Sequence, residues 1–433
     1  MTQKVSAPSP DASPAESTLQ LSDLELPYLP LQTREFAQDP IRYFAAARET
    51  HPWLARSEAG YVVHQLKAIK DLLGRDDIMR TSFDGIVALM QAKGTPWGRF
   101  TEEQMLAHSG ASHKRLRDLL APRFTPRQAD RHRPLMRKVV AELLDEWAPK
   151  GQCDFEEFAS YFPVSVLCAM VGAPAGDIPH LRASLEALGL GFSLNRNHLP
   201  ALQEAIGVLD HFVQKLVRER RASGRPDGES DLLDLLLEVS GDGQLTEREV
   251  YDMLIFLFVA GYDTSKNVLT YTMHLLLERP EIYQRCAADS EYCQQAIEEA
   301  LRYFSPSTVF RMPMRDIVYE GVRIPKDTML FFPLSIAGRD PAIEEANAYI
   351  PGRVVTGENR HVAFGRGMHI CMGQFIARAQ LEEGLHQITR RMRNPRRMGA
   401  PGWRPFPGVW GIQGLPISFD AETPAQRVDG ATV

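Results

Sequence analysis

The segment from Glu247 to Arg279 constrains this chain more than any other. Thr246 and Glu249 stand at capping-box spacing, Met253–Ala260 is a continuous apolar run, and Pro280 closes the segment. Together they predict a single helix. At ~1.5 Å per residue it would be roughly 50 Å long. A helix that long with an apolar middle must cross an entire large domain. It therefore argues for one domain, although 433 residues would allow two or three. The apolar run is too short to span a bilayer, which takes ~20 residues, and Asp263 and Lys266 follow it. It is predicted to be a buried core helix.

Most of the remaining punctuation is also helical. A second helix is expected from about Glu291 to Phe304, with Ala296, Ile297, Ala300, Leu301 and Phe304 on one face. A third is expected after Cys371, with Met372, Phe375, Ile376 and Ala379 on one side. Strand patterns are fewer: Gly60–Gln65, and Ile317–Pro333 as a hairpin turning at Pro325-Lys326-Asp327. The fold class is thus mainly α with small β-sheets, in a single large domain over residues 23–433. Residues 1–22, rich in Ser, Pro and Ala without an apolar core, are expected to be a disordered tail, neither secretory signal nor membrane anchor.

Composition excludes several classes of protein. With 44% hydrophobic and 24% charged residues, the chain is not intrinsically disordered. A net charge of −6 is not the footprint of a nucleic-acid binder. Five cysteines without paired spacing do not form a disulfide framework, so the protein is expected to be reduced and cytoplasmic. One cysteine stands apart. In Phe364-Gly365-Arg366-Gly367-Met368-His369-Ile370-Cys371-Met372-Gly373, the closely spaced glycines permit a tight turn and close approach of backbone to a flat ligand. Cys371 would sit where a helix begins, and backbone N–H groups there favour a thiolate. Such a thiolate suits the axial position of haem iron, where its electron donation promotes O–O cleavage. Phe364 would shield the sulfur, and His369 would reach a haem propionate.

This loop resembles that of the cytochromes P-450, the haem-thiolate monooxygenases, and matches it at every specified position, Phe364, Gly365, Gly367, His369, Cys371 and Gly373. Further family marks occur in order. Glu299-Ala300-Leu301-Arg302 matches the family's Glu-x-x-Arg, a structural pair of neighbours on one helical face. The arginine that usually completes this group is replaced by Ala348, leaving Arg353 or Arg339 to compensate. Ala260-Gly261-Tyr262-Asp263-Thr264 matches the oxygen-activating pattern. There small residues leave room for dioxygen, Gly261 lets the helix loosen, and Asp263 and Thr264 relay protons. A purely structural Thr264, bonded back to a carbonyl four residues earlier, is the competing interpretation. The resemblance also makes His113, Arg117 and Arg311 propionate partners, with Arg315 the competitor of Arg311.

The family fold that the resemblance implies places haem b (iron protoporphyrin IX) between the long helix and the cysteine-loop helix. The implied activity inserts one atom of O2 into a small hydrophobic substrate, by hydroxylation or epoxidation. Electrons would come from NAD(P)H through a ferredoxin reductase and an iron–sulfur ferredoxin. Lys114, Arg115, Arg117 and Arg366 are the candidate docking patch on an acidic protein. Phe83, Val87, Trp97, Phe256, Val259, Val309 and Trp410 are the candidate substrate-pocket residues. A monomer without nucleic-acid or membrane partners is expected. The alternatives are a non-enzymatic haem-thiolate ligand sensor and a peroxide-driven peroxygenase.

Overall fold

The computed structural model describes residues 18–224 and 230–421. Its central element is the helix Glu247–Leu276, 30 residues long and about 45 Å by its rise. Both halves of the expected capping box are made: Thr246 Oγ1 accepts from Glu249 N, and the Glu249 carboxylate accepts from Thr246 N. Most of its residues are buried, which accounts for the apolar run. The helix packs against Phe155–Val171, Leu199–Ser223 and Gln374–Arg391. No helix among the described residues is long and apolar enough to cross a membrane.

The second expected helix spans Ser290–Tyr303, capped by the Asp289 side chain. The third begins at Gln374, three residues later than Cys371, and runs to Arg391. Ile376 and Ala379 are buried as expected, whereas Phe375 is 37% exposed. Phe375 lies in the helix's first turn, beyond the cover of its neighbours.

Five strands form the main sheet, in the order Leu54–Ser57, Gly60–Val63, Leu330–Pro333, Thr308–Pro313, Met79–Thr81. The expected hairpin over Ile317–Pro333 is corrected. Ile317–Tyr319 and Val322–Ile324 pair around Glu320-Gly321, while Leu330–Pro333 belongs to the main sheet. Glu320 (φ 46°) and Gly321 (φ 73°) both adopt left-handed backbone, as a two-residue hairpin loop matched to strand twist requires. Pro325-Lys326-Asp327 instead lies on the link between two sheets. The expected tail also ends sooner. Leu19–Gln20 pair in parallel with Val322–Arg323, and Leu21 is buried. Residues 1–17 of that expected tail lie outside the described residues. A third sheet runs Arg393–Arg397, Pro416–Asp420, Gln152–Asp154, with the arginine-rich strand at one edge.

Candidate haem-thiolate site

The cysteine loop is built by backbone geometry. Gly365 (φ 72°) and Gly367 (φ 76°) are left-handed, and a Cβ on Gly367 would meet an Asp76 carboxylate oxygen at 2.6 Å and Leu73 O at 2.7 Å. Asp76 accepts from Met368 N at 2.6 Å, fixing the loop against the Leu66–Leu73 helix and its following turn. The Cys371 N–H donates to Phe364 O at 2.8 Å, closing the loop on itself. Burial pushes the Cys371 thiol up, while a Gly373 backbone hydrogen bond, Arg117 and Arg378 act against that. Helix-terminal N–H groups therefore do not by themselves favour a thiolate here; a bound metal cation would. The Phe364 ring lies 4.4 Å from the Arg378 guanidinium, and Arg378 is itself held by Glu298 at 2.8 Å. The other four cysteines are free thiols, and burial pushes Cys153 and Cys168 up to about 12.

His113, Arg117, Arg311 and His369 converge beside this loop. The His113 and His369 rings are 4.2 Å apart, and His113 Nε2 and His369 Nδ1 are buried without partners. Burial, then Arg311, His113 and Arg117, pull His369 down to about 3. Burial lowers Arg311 to about 10, against the pull of Asp76. Arg311 makes one hydrogen bond, to Phe310 O, and Arg117 has no ion-pair partner among the described residues. Arg315, its competitor, is exposed. Half- to fully buried arginines whose nearby carboxylates are Asp76 and Asp118, set beside two buried histidine nitrogens without partners, need an anionic partner. Two propionates beside a cysteine ligand meet that need, so the residues present fit haem.

On the long helix, Ala260 and Thr264 are accessible within an otherwise buried segment and share one face. Thr264 Oγ1 donates to Ala260 O at 3.2 Å, which leaves its oxygen free to accept a further hydrogen bond. The helix is continuous through Gly261, which corrects the expected loosening. A Cβ there would meet Leu167 Cδ1 at 2.9 Å, so Gly261 lets two helices approach.

Asp263 is buried in a charge network that sequence reading missed. It pairs closely with Arg404, accepts from Asn267 Nδ2 at 3.0 Å and lies 3.5 Å from Lys266 Nζ. Fully buried Lys266 also meets Glu156 at 2.7 Å and Glu186 at 2.8 Å. Burial works against Lys266's charge, but Asp263, Glu186 and Glu156 outweigh it and raise its pKa. Gly189 sits over the Asp263–Arg404 pair, where a Cβ would meet Asp263 Oδ2 at 2.2 Å. Arg404, Glu156 and Glu186 come from sites 80 to 141 positions distant in the chain, beyond any local pattern.

Glu299 and Arg302 form the expected pair, at 2.7 and 2.8 Å, both buried. Arg353 supplies the missing third cation, with Nε 3.2 Å from Glu299 Oε1. Arg339 instead binds Tyr303 O and Tyr271 Oη. The position of Ala348 contributes only its carbonyl, which accepts from Arg302 at 2.8 Å.

A cavity of about 190 Å³ borders Arg311 and His369. Of the candidate pocket residues, Phe83 and Val309 line it. Val87, Trp97 and Phe256 are buried in the main core, and half-buried Val259 packs against it. Trp410 is also core: it stacks on Trp403 and donates to Ala37 O at 2.9 Å, while its neighbour Val409 takes the lining position. Phe192 and Phe310 were missed as lining residues.

The expected docking patch changes in composition. Lys114 pairs with Asp118 and Arg115 with Glu249, so neither offers a free charge. Arg117 turns into the cluster described above. Arg366 remains exposed, and with Arg360 it adds to burial in lowering Lys70. Ile370 and Phe375, beside Cys371, are each 37% exposed.

Comparison with known proteins gives a consistent result. The family model described as "Cytochrome P450" matches residues 189–394. Luteothin monooxygenase of Streptomyces thioluteus is 31% identical over 402 residues, 92% of this chain and 97% of that relative. The cytochrome P450 monooxygenase PikC of Streptomyces venezuelae is 30% identical, covering 75% of this chain and 78% of PikC. Among solved structures, the polyketide synthase cytochrome P450 PksS of Bacillus subtilis 168 superposes with a TM-score of 0.77 at 25% identity, over 90% of this chain and 99% of PksS. CalO2 superposes with a TM-score of 0.81 at 22% identity, over 91% of this chain and 99% of that one, which bears on the fold alone.

Proposed function

The chain belongs to the cytochrome P450 family and is a cytochrome P450 monooxygenase; from that premise we propose that it oxygenates a small, largely apolar organic molecule with electrons from a ferredoxin and its reductase. The observation that carries the site assignment is the convergence of His113, Arg117, Arg311 and His369 on the Cys371 loop. Cys371 would ligate the haem iron through its thiolate, and the four basic groups would hold the propionates. Haem bound there supplies oxygen activation. Thr264, with a free lone pair in the accessible gap beside Ala260, holds a proton donor, and the Asp263 carboxylate, next to it in the chain, is the relay that takes up a proton and passes it on. Its embedding among Arg404, Lys266 and Glu186 fixes where that carboxylate points.

Phe83, Val309, Phe192 and Phe310 around the cavity support an apolar substrate. The names of two relatives, luteothin monooxygenase and the polyketide biosynthesis cytochrome P450 PksS, are in keeping with an organic small-molecule substrate. For the electron donor, Arg360, Arg366 and Lys70 lie near one another, and Arg366 shares the cysteine loop with exposed Ile370, a basic surface suited to an acidic ferredoxin.

Reconstitution with NAD(P)H, a surrogate ferredoxin pair and an apolar substrate panel tests this. Coupled product formation is expected. Turnover only with hydrogen peroxide would make the protein a peroxygenase, and ligand binding without turnover would make it a sensor. Cys371→Ala should abolish the thiolate-type spectrum of the reduced carbon monoxide complex. Thr264→Ala should divert electrons to peroxide. Arg360→Glu with Arg366→Glu should slow ferredoxin electron transfer and flatten its salt dependence, whereas Lys114→Glu should not.

A further inference from the structure

Asp263 is shut off from water. The residue is 3% exposed, and its Oδ2 has no hydrogen-bond partner. Gly189 lies over that oxygen so closely that a Cβ there would not fit. A carboxylate that passes protons on has to be refilled by a neighbour. Among the described residues, three side chains meet its Oδ1. Arg404 pairs with it, but a guanidinium does not release protons in proteins. Asn267 donates from Nδ2 at 3.0 Å, and its neutral amide is no acid. Lys266 Nζ, at 3.5 Å, is the neighbour that remains, and an ammonium gives up a proton and takes one back.

Fully buried lysines are rare, and each needs a partner. Lys266 has more than one. Its Nζ lies 2.7 Å from Glu156 and 2.8 Å from each oxygen of Glu186. With Asp263, three carboxylates face two cations, Lys266 and Arg404, and the cluster carries one surplus negative charge. His198, beside Arg404, is lowered by burial and by that arginine and adds no charge. The Tyr262 hydroxyl donates to Glu186 and keeps its proton. An extra proton therefore enters the cluster without making it positive. Neither glutamate is sealed: the Glu156 and Glu186 side chains are 18% and 30% exposed, on the separate helices Phe155–Val171 and Ile178–Leu188. A series of polar contacts thus runs from water, through either glutamate, to Lys266 and on to Asp263.

We propose that Lys266 reloads Asp263 with protons, and that Glu156 and Glu186 are twin entry points from solvent. This rests on the monooxygenase reading and adds the supply side of its proton relay. A proton from water binds the carboxylate of Glu156 or Glu186. Lys266 passes one of its own protons to Asp263 Oδ1 and takes the glutamate's in return. One proton enters, one reaches Asp263, and Lys266 ends as it began. Lys266 acts through Asp263, so it is a positioning residue that keeps an exchangeable proton beside the acid.

The test uses holoenzyme reconstituted with the ferredoxin pair. Lys266→Arg keeps the charge but places a group that does not release its proton. Product formation at saturating substrate should fall at least about 10-fold, the size of a lost proton-transfer step, with KM unchanged. Its solvent deuterium isotope effect should rise, while the unfolding midpoint and the thiolate-type spectrum stay those of the unmodified protein. Lys266→Ala leaves a space that propylammonium or ethylguanidinium fills. Both should raise the unfolding midpoint of that variant, but only propylammonium should restore product formation. Glu156→Gln and Glu186→Gln should each have little effect alone and together match Lys266→Arg; should the lysine variants not fold, this pair decides. Normal turnover with an unchanged isotope effect in Lys266→Arg or in the double glutamine variant would overturn the proposal. Equal rescue by the two cations would overturn it too, because charge alone would then suffice. Each of these results leaves the monooxygenase reading standing. Loss of the thiolate-type spectrum in the unmodified protein would refute that underlying reading instead.

Discussion

Replacing Arg302 and Arg353 in turn with methionine separates the two cations that share Glu299. Glu299 accepts two hydrogen bonds from Arg302, at 2.8 and 2.7 Å, one from Ile350 N at 2.9 Å and one from Arg353 at 3.2 Å. Arg302 also donates to Gly338 O, Ala346 O and Ala348 O, and its side chain is 4% exposed. Arg302→Met would leave a buried carboxylate with one long cationic contact and strip the partner from buried carbonyls. Breaking a buried pair in this way costs about 3–5 kcal/mol. Arg353→Met leaves the two-pronged Arg302 contact and the Ile350 hydrogen bond in place. Of the carbonyls it abandons, those of Glu344 and Glu345 belong to exposed residues that water can reach, and that of Ala348 keeps its hydrogen bond from Arg302. A lost charge-assisted hydrogen bond costs about 1.5–3 kcal/mol. The gap between the variants should therefore be about 2 kcal/mol. Because both cations act on Glu299, the double variant should depart from additivity by about 1 kcal/mol. Urea unfolding followed by circular dichroism, with haem content measured alongside, reads both quantities. Equal losses, or a greater loss for Arg353→Met, would refute the assignment of Arg353 as an auxiliary to a self-sufficient pair.

Gly261→Ala should destabilise the protein by about 1–3 kcal/mol, since its Cβ would stand 2.9 Å from Leu167 Cδ1, and Leu167→Ala in the same chain should recover part of that loss. Thermal unfolding of the single and double variants checks this. His64 is fully buried with both ring nitrogens unpartnered, and burial, then Arg48, bring it down to about 3. The unfolded chain takes up this proton below about 6.5 and the folded one only near 3. His64 should thus erode stability as pH falls from about 6.5, by up to about 1.4 kcal/mol per pH unit, and contribute no pH dependence above that. His64→Leu should flatten this part of the stability profile between pH 6.5 and 4.

Local chemistry was legible in the sequence because it is written at short range. The capping box at Thr246 and Glu249, the glycine turns before Cys371 and the Glu299–Arg302 pair each depend on residues a few positions apart. Choices between equivalent local signals were less secure. Pro325-Lys326-Asp327 carried the stronger turn composition, yet Glu320-Gly321 makes the hairpin, because strand register and twist decide which turn is used. Long-range partnerships were not legible. Nothing near Asp263 announces Arg404, and nothing near Arg115 announces Glu249. Trp410 and Val409 illustrate the same limit, since adjacent residues divide between core and cavity according to packing from segments far away.

The strand Arg393–Arg397 has consequences of its own. Its outer side is a row of backbone groups that another chain could extend into a growing β-ladder. Arg393 and Arg396 place like charges along it, Arg397 is paired with Glu278 at 2.8 Å, and Pro395 withholds a donor from it. Two molecules meeting edge to edge would bring arginine against arginine. The sheet is therefore protected against templated aggregation by its own sequence, and replacing those arginines with β-branched residues would remove the protection while leaving the oxygenation site untouched.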